Sequence, residues 1–221
     1  MRKLAWLLLL LPIVAAGCHH SIGPEIQGNG KRVLQKRDIT PFTSISTNGA
    51  FVIEITCQKE PSLEVEGDEN VLPYIVAEVN SNVLRIKNER NYSTNDPVRF
   101  KISVPNLEGL SVNGAGRIDI KGMSNEKFEI DSNGAPTISV AGNTKVIDID
   151  SSGAGKIDTN NLRASRAVVD SKGVSRIEVD AAEQLDVTVS GPSTVTYKGD
   201  PVVNKTVNGP GKVEKRASEG A

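Results

Sequence analysis

Apolar and polar residues alternate along most of this chain, and glycine interrupts the alternation at a steady interval. Gly114, Gly134, Gly153, Gly173, Gly191 and Gly209 are spaced by 20, 19, 20, 18 and 18 residues. Four residues before them lie Leu110, Ile130, Ile149, Val169, Val187 and Lys205, and four after lie Ile118, Ile138, Ile157, Ile177, Val195 and Val213. Two before lie Val112, Ser132, Ser151, Ser171, Val189 and Val207; six after lie Ile120, Val140, Thr159, Val179, Tyr197 and Lys215. This period of two predicts a half-buried strand on each side of every glycine.

The stretch "SVNGAGRIDIKG" at 111–122 carries an Asn-Gly pair, a strong hairpin signal. Face parity opposes a two-residue hairpin. It would set Val112 against Ala115 and Leu110 against Arg117, and turn Ile118 and Ile120 to the wrong face. A three-residue turn restores parity and leaves a β-meander or sandwich as the alternative. The matching of like residues at like positions favours copies stacked on one another. We therefore expect an all-β parallel β-helix, or solenoid, with rungs of about 18–20 residues. Each glycine then marks a corner that needs positive φ or close backbone approach. Asn113, Asn133 and Asn208 beside it suit such a corner. Lys205 and Lys215 in the last copy suit a polar end cap.

An earlier copy is readable in "STNGAFVIEI", where Ile45, Thr47, Gly49, Ile53 and Ile55 fit the same columns. Residues 59–106 break the period and read as irregular rungs or an insertion. "SLEVEG", "VLRIKN" and "VRFKISV" predict strands, "DENVLPYIVAEV" one or two helical turns broken by Pro73, and "ERNYSTNDP" a loop. The expected organisation is one domain over 31–217 with a short tail at 218–221.

The beginning of the chain bears on location. "MRK" followed by "LAWLLLLLPIVAA" is a cationic head and an apolar run too short for a transmembrane helix, as in an export signal over 1–17. "AAGC" resembles the lipobox of bacterial lipoproteins, with Ala15 where that pattern prefers Leu. The resemblance implies cleavage after Gly17 and acylation of Cys18 with palmitate-type chains, more than one being needed for stable anchoring. The alternative is plain export with a free Cys18. Residues 18–30 then form the lipidated cysteine and a flexible tether, "HHSIGPEIQGNG" being polar and rich in Gly and Pro. Cys57 continues the alternation of Phe51, Ile53 and Ile55, which predicts burial as a small apolar side chain.

Composition removes several functions. The whole chain carries a formal charge of −1, and loss of Arg2 and Lys3 with the signal makes it more acidic. No basic stripe is present, so nucleic acid is not an expected partner. The one Trp belongs to the signal, which leaves few aromatic faces for a deep sugar cleft. Both histidines, His19 and His20, precede the domain, which argues against His-based chemistry. No cofactor motif is recognisable.

Beyond the repeat, the order of segments resembles a known family. "FTSISTNGAFVIEIT", "LEVEGDENVLPYIVAEV", "NVLRIK" and "VPNLEGLSVNGAGRIDI", followed by glycine-centred repeats, is similar to the head GIN domain family of auto-transporter adhesins. The resemblance covers roughly 31–215. It implies a right-handed parallel β-helix in an exported bacterial protein, often a lipoprotein, and supplies no catalytic residues.

Two outward columns draw attention. Asp131, Asp150 and Asp170 lie three residues before the glycine, and Glu129, Asp148 and Asp186 five before it. Stacked rungs would gather these six carboxylates on one face, where they could attract a cation or, by analogy with polysaccharide-degrading β-helices, act as acid and base. The competing expectation is a solvated face of exposed ion pairs. The reading that follows is a non-enzymatic envelope lipoprotein of the outer membrane, facing periplasm or cell surface. It would present a rigid β-coil to a protein or glycan surface. A cation-binding or polysaccharide-active β-helix is the alternative.

Overall fold

The structure, a computed structural model, describes residues 25–216. It is built almost wholly of strands. In chain order these are β1 (Ile26–Gln27), β2 (Arg32–Arg37), β3 (Ser44–Asn48), β4 (Val52–Cys57), β5 (Ser62–Asp68), β6 (Ile75–Asn80), β7 (Val83–Asn88), β8 (Tyr92–Ser93) and β9 (Arg99–Val104). Then follow β10 (Gly109–Gly114), β11 (Arg117–Gly134), β12 (Thr137–Ser151), β13 (Lys156–Ser171), β14 (Arg176–Ser190), β15 (Thr194–Lys198), β16 (Val202–Asn208) and β17 (Lys212–Lys215).

Two long parallel ladders run the length of the molecule. The first passes through β7, β3, β10 and the second halves of β11 to β14, and ends on β16. The second passes through β9, β4 and the first halves of β11 to β14, and ends on β15 and β17. Glycines of successive copies lie in register, as Gly114 does on Gly134. The strands therefore pair with the next copy and not with each other across the Asn-Gly turn. This is a β-solenoid, and the meander and sandwich are set aside. From Gly109 onward it makes about five turns. A short third face closes each middle turn, where Ser124 pairs with Asn143 and Asn143 with Arg163. Copies of different length differ there, at register shifts between Thr159 and Arg166, so the two main ladders stay in phase.

Inside the coil the aliphatic columns become stacks. Leu110, Ile130, Ile149, Val169 and Val187 are buried, as are Ile118, Ile138, Ile157, Ile177 and Val195. Fully burying one such side chain contributes roughly 1.5–3 kcal/mol, so the ladders supply the driving force that parallel strands need on their inner face. Phe51 and Phe100 meet edge to face at 5.4 Å. Cys57, at the end of β4 beside Val104, is also buried, and burial pushes its thiol up to about 11.

The corner glycines are held mainly by close approach. A Cβ on Gly134 would stand 2.2 Å from the Gly114 carbonyl oxygen, and one on Gly153 would stand 1.8 Å from that of Gly134. Gly114 and Gly134 also have φ of +139° and +151°. Gly153 is not among the positive-φ residues, so at that corner contact alone requires glycine.

Residues 59–106 depart from linear stacking. β7 and β9 form a layer that follows β3 and β4 in sequence but lies outside them. β3 and β4 are sandwiched between that layer and β10–β11. Antiparallel strands close this end: β6 on β7, and β5 with β2 on β9. The helical turns expected in "DENVLPYIVAEV" reduce to one 3-10 turn, Leu72–Tyr74, after which Ile75 enters β6. Pro73 and the β-branched run behind it favour the extended form. Arg37 crosses between the closing strands, donating to Ile75 O at 2.6 Å and Leu72 O at 3.2 Å. The loop "ERNYSTNDP" contains β8, which pairs in parallel with β1. Ile26 N donates to Asn91 O and Gly30 N to Asp68 Oδ2, so the described end of the expected tether lies against the domain. At the other end, β16 and β17 are largely exposed, with Lys205 stacked on Val187 and Lys215 on Tyr197.

Candidate functional site

The first ladder presents the acidic columns on its outer surface. Asp131 pairs in register with Asp150, and Asp150 with Asp170; Glu129 pairs with Asp148. Five of the six expected carboxylates thus lie on adjoining layers about 4.8 Å apart. The sixth does not join them. Val168 occupies the layer between Asp148 and Asp186.

Cations occupy the gaps. Lys172 reaches Asp170 Oδ2 at 3.2 Å and Asp150 Oδ2 at 3.5 Å, and these contacts raise its pKa above the usual lysine value. Lys127 is paired with Glu129, which raises the lysine in the same way. Asp131 accepts from Asn133 Nδ2 at 2.9 Å. Asp186 accepts from Asn204 at 2.8 Å, from Gln184 at 2.8 Å and from Arg166 at 2.7 Å. Those bonds, that of Asn204 foremost, bring its carboxyl down to about 2. Among the described residues no group of three or more His, Cys, Asp or Glu is placed to hold a metal ion. Arg117 with Asp119 at 2.9 Å, and Lys156 with Asp158 and Glu178 at 3.8 Å, continue the alternating charge on the second ladder. Gly17 and Cys18, the expected cleavage and acylation residues, lie outside the described residues.

Two open cavities lie toward the closed end of the coil. One, about 620 Å³, is lined by Glu108, Glu126, Glu129 and Lys127 with Asn106 and Asn125. The other, about 890 Å³, sits where β3, β7 and β8 end. Asn48, Asn88, Asn91 and Asn95 line it with Tyr92, Ser93 and Thr94, and Glu25 is its one charged lining residue. Of the first cavity's residues the sequence marked only Glu129, and of the second's it marked none. Their only signal was the density of Asn in "ERNYSTNDP" and the corner Asn48.

Residues 41–201 match the family described as "Putative auto-transporter adhesin, head GIN domain". The chain belongs to this family. Among solved structures, it is similar to a putative adhesin from Bacteroides fragilis, with 23% identity, a TM-score of 0.73, and coverage of 86% of this chain and 100% of that one. It is also similar to a putative adhesin from Parabacteroides distasonis at 20% identity and a TM-score of 0.57, covering 87% and 100% of the two chains. A putative lipid binding protein from the same species follows at 23% identity and 0.51, covering 88% and 100%. These likenesses show a shared fold. No curated protein matches the chain.

Proposed function

We propose that this head GIN domain protein is an exported envelope lipoprotein, anchored through acylated Cys18 after cleavage behind Gly17, that serves adhesion or surface contact without catalysis. The observation that carries the reading is the pair of continuous outer ladders, in which polar and charged side chains recur in register layer upon layer. A face of this kind offers many weak contacts in a row, and linked weak contacts gain avidity without a deep pocket. Membership of a family described as adhesins supports it.

The test is a deletion strain scored for surface attachment. Attachment should fall, return with the unaltered gene, and fail to return with Cys18→Ala. Attachment unchanged by deletion overturns the contact role, and full rescue by Cys18→Ala overturns the anchor. Mass spectrometry of the purified protein should find acyl chains on Cys18.

A further inference from the structure

The 890 Å³ cavity differs from every outer ladder in being almost free of charge. Its walls come from two places that the displaced layer brings together: the corner after β3 and the segment around β8. Asn48, Asn91 and Asn95 are exposed, and among the described residues no side-chain hydrogen bond occupies their amides. Asn88 is fixed, since its Nδ2 donates to Arg90 O at 3.1 Å, and its Oδ1 lies 2.7 Å from where a Cβ on Gly49 would stand. Glycine at this corner therefore also leaves room for the Asn88 amide. The half-buried Tyr92 adds an aromatic surface at the cavity wall. Its backbone is held by β1, whose flanking bonds run from Ile26 N to Asn91 O at 2.9 Å and from Gly28 N to Ser93 O at 2.8 Å.

Each free amide offers one acceptor and two donors side by side, which suits the donor and acceptor character of neighbouring hydroxyls on a ring. Thr94 and Ser93 add further hydroxyls. An aromatic wall receives the apolar face of such a ring, and a wall whose one charge is the Glu25 carboxylate gives an anionic ligand nothing to pair with. We infer that this cavity is a binding site for a neutral, hydroxyl-rich saccharide. The inference rests on the adhesion reading above and names the chemistry of the surface that would be contacted. The scarcity of aromatic residues argues against a deep stacked cleft, and the cavity is an open one lined chiefly by amides.

The experiment uses the full-length protein in detergent, applied to an array of neutral gluco-, manno- and galacto-oligosaccharides alongside sulfated and uronic-acid glycans. At least one neutral oligosaccharide should be retained. The triple variant Asn48→Ala, Asn91→Ala, Asn95→Ala changes exposed side chains only, so it should melt as the parent does and bind at least tenfold more weakly. Retention of charged glycans alone, no retention of any neutral sugar, or equal binding by the triple variant overturns the site. The same variant in the attachment assay separates the two readings. Attachment without array binding leaves adhesion standing and removes the sugar site. Array binding lost in the variant, without attachment by the parent, does the reverse.

Discussion

The hydroxyl of Ser171 donates to that of Ser193, 2.8 Å away and one layer on, inside a corner where both side chains are fully buried. Ser193 in turn donates to Gly173 O at 2.8 Å and accepts from Ser175 N at 3.0 Å. Ser151 and Ser175 repeat the pairing at 2.6 Å. Ser132 occupies the same column as Ser151 and Ser171, but the position matching Ser175 on its next layer is Gly155, and its buried hydroxyl has no partner among the described residues.

Removal of a buried partner should therefore be costly at one site and not at the other. Ser193→Ala leaves the Ser171 hydroxyl, the Ser175 amide and the Gly173 carbonyl short of a bond, and should destabilise by about 1–3 kcal/mol. Ser132→Ala removes a group that is buried and unpaired, and should be neutral or stabilising. Urea unfolding of the two variants beside the parent checks the contrast.

A corner glycine and a loop glycine are required for different reasons. Gly153→Ala places a Cβ 1.8 Å from a backbone oxygen that cannot move without its whole layer. It should cost about 3 kcal/mol or more, the upper range for overpacking. Gly30, at φ of +73° with nothing within 4 Å of an added Cβ, should accept Asn at a cost of about 1–2 kcal/mol at most. Equal melting temperatures for Gly153→Ala and the parent would refute the stacking argument.

The columns flanking each glycine were readable because burial on one face of a stacked strand writes the same residue types every 18–20 positions. The serine pairing was half readable. Ser132, Ser151 and Ser171 stood out as polar members of an inward column, whereas Ser175 and Ser193 follow a column held in earlier copies by Gly116, Pro136 and Gly155. The placement of β7 and β9 outside β3 and β4 was not readable. Chain order places them between β4 and β10, and only long-range packing decides which side they take. The neutral cavity was hidden for the same reason, since Asn48 and Asn91 meet only through that displaced layer. Of the six carboxylates expected on one face, Asp186 is set apart because Val168 fills the layer between it and Asp148, a column member the expectation passed over.

Asp186 should report on acid stability. Its folded pKa, about 2, lies below the ordinary aspartate value. A depressed carboxyl contributes stability above its unfolded pKa and loses it as pH falls through the folded one, because the unfolded chain takes up the proton first. The contribution is thus complete above about pH 4 and fades toward pH 2. Asp186→Asn removes the titration. Melting temperatures between pH 6 and pH 2 should fall less steeply for the variant in that window, and parallel curves would count against the bonds to Asn204, Gln184 and Arg166.

The acidic columns lead to a prediction about cations. Lys172 lies between Asp150 and Asp170, so the ladder already carries its counter-charge within the protein. An exposed ion pair of this kind adds little to stability, and Lys172→Met should therefore change the melting temperature little at moderate salt. It does leave Asp150 and Asp170 stacked without their cation, and like charges at this spacing favour whatever neutralises them. Calcium should raise the melting temperature of Lys172→Met more than that of the parent, and added monovalent salt should stabilise the variant more as well. If calcium instead stabilised the parent strongly and the variant no further, the lysine would not be the group that balances this face, and a cation site using the acidic columns of the native protein would take its place.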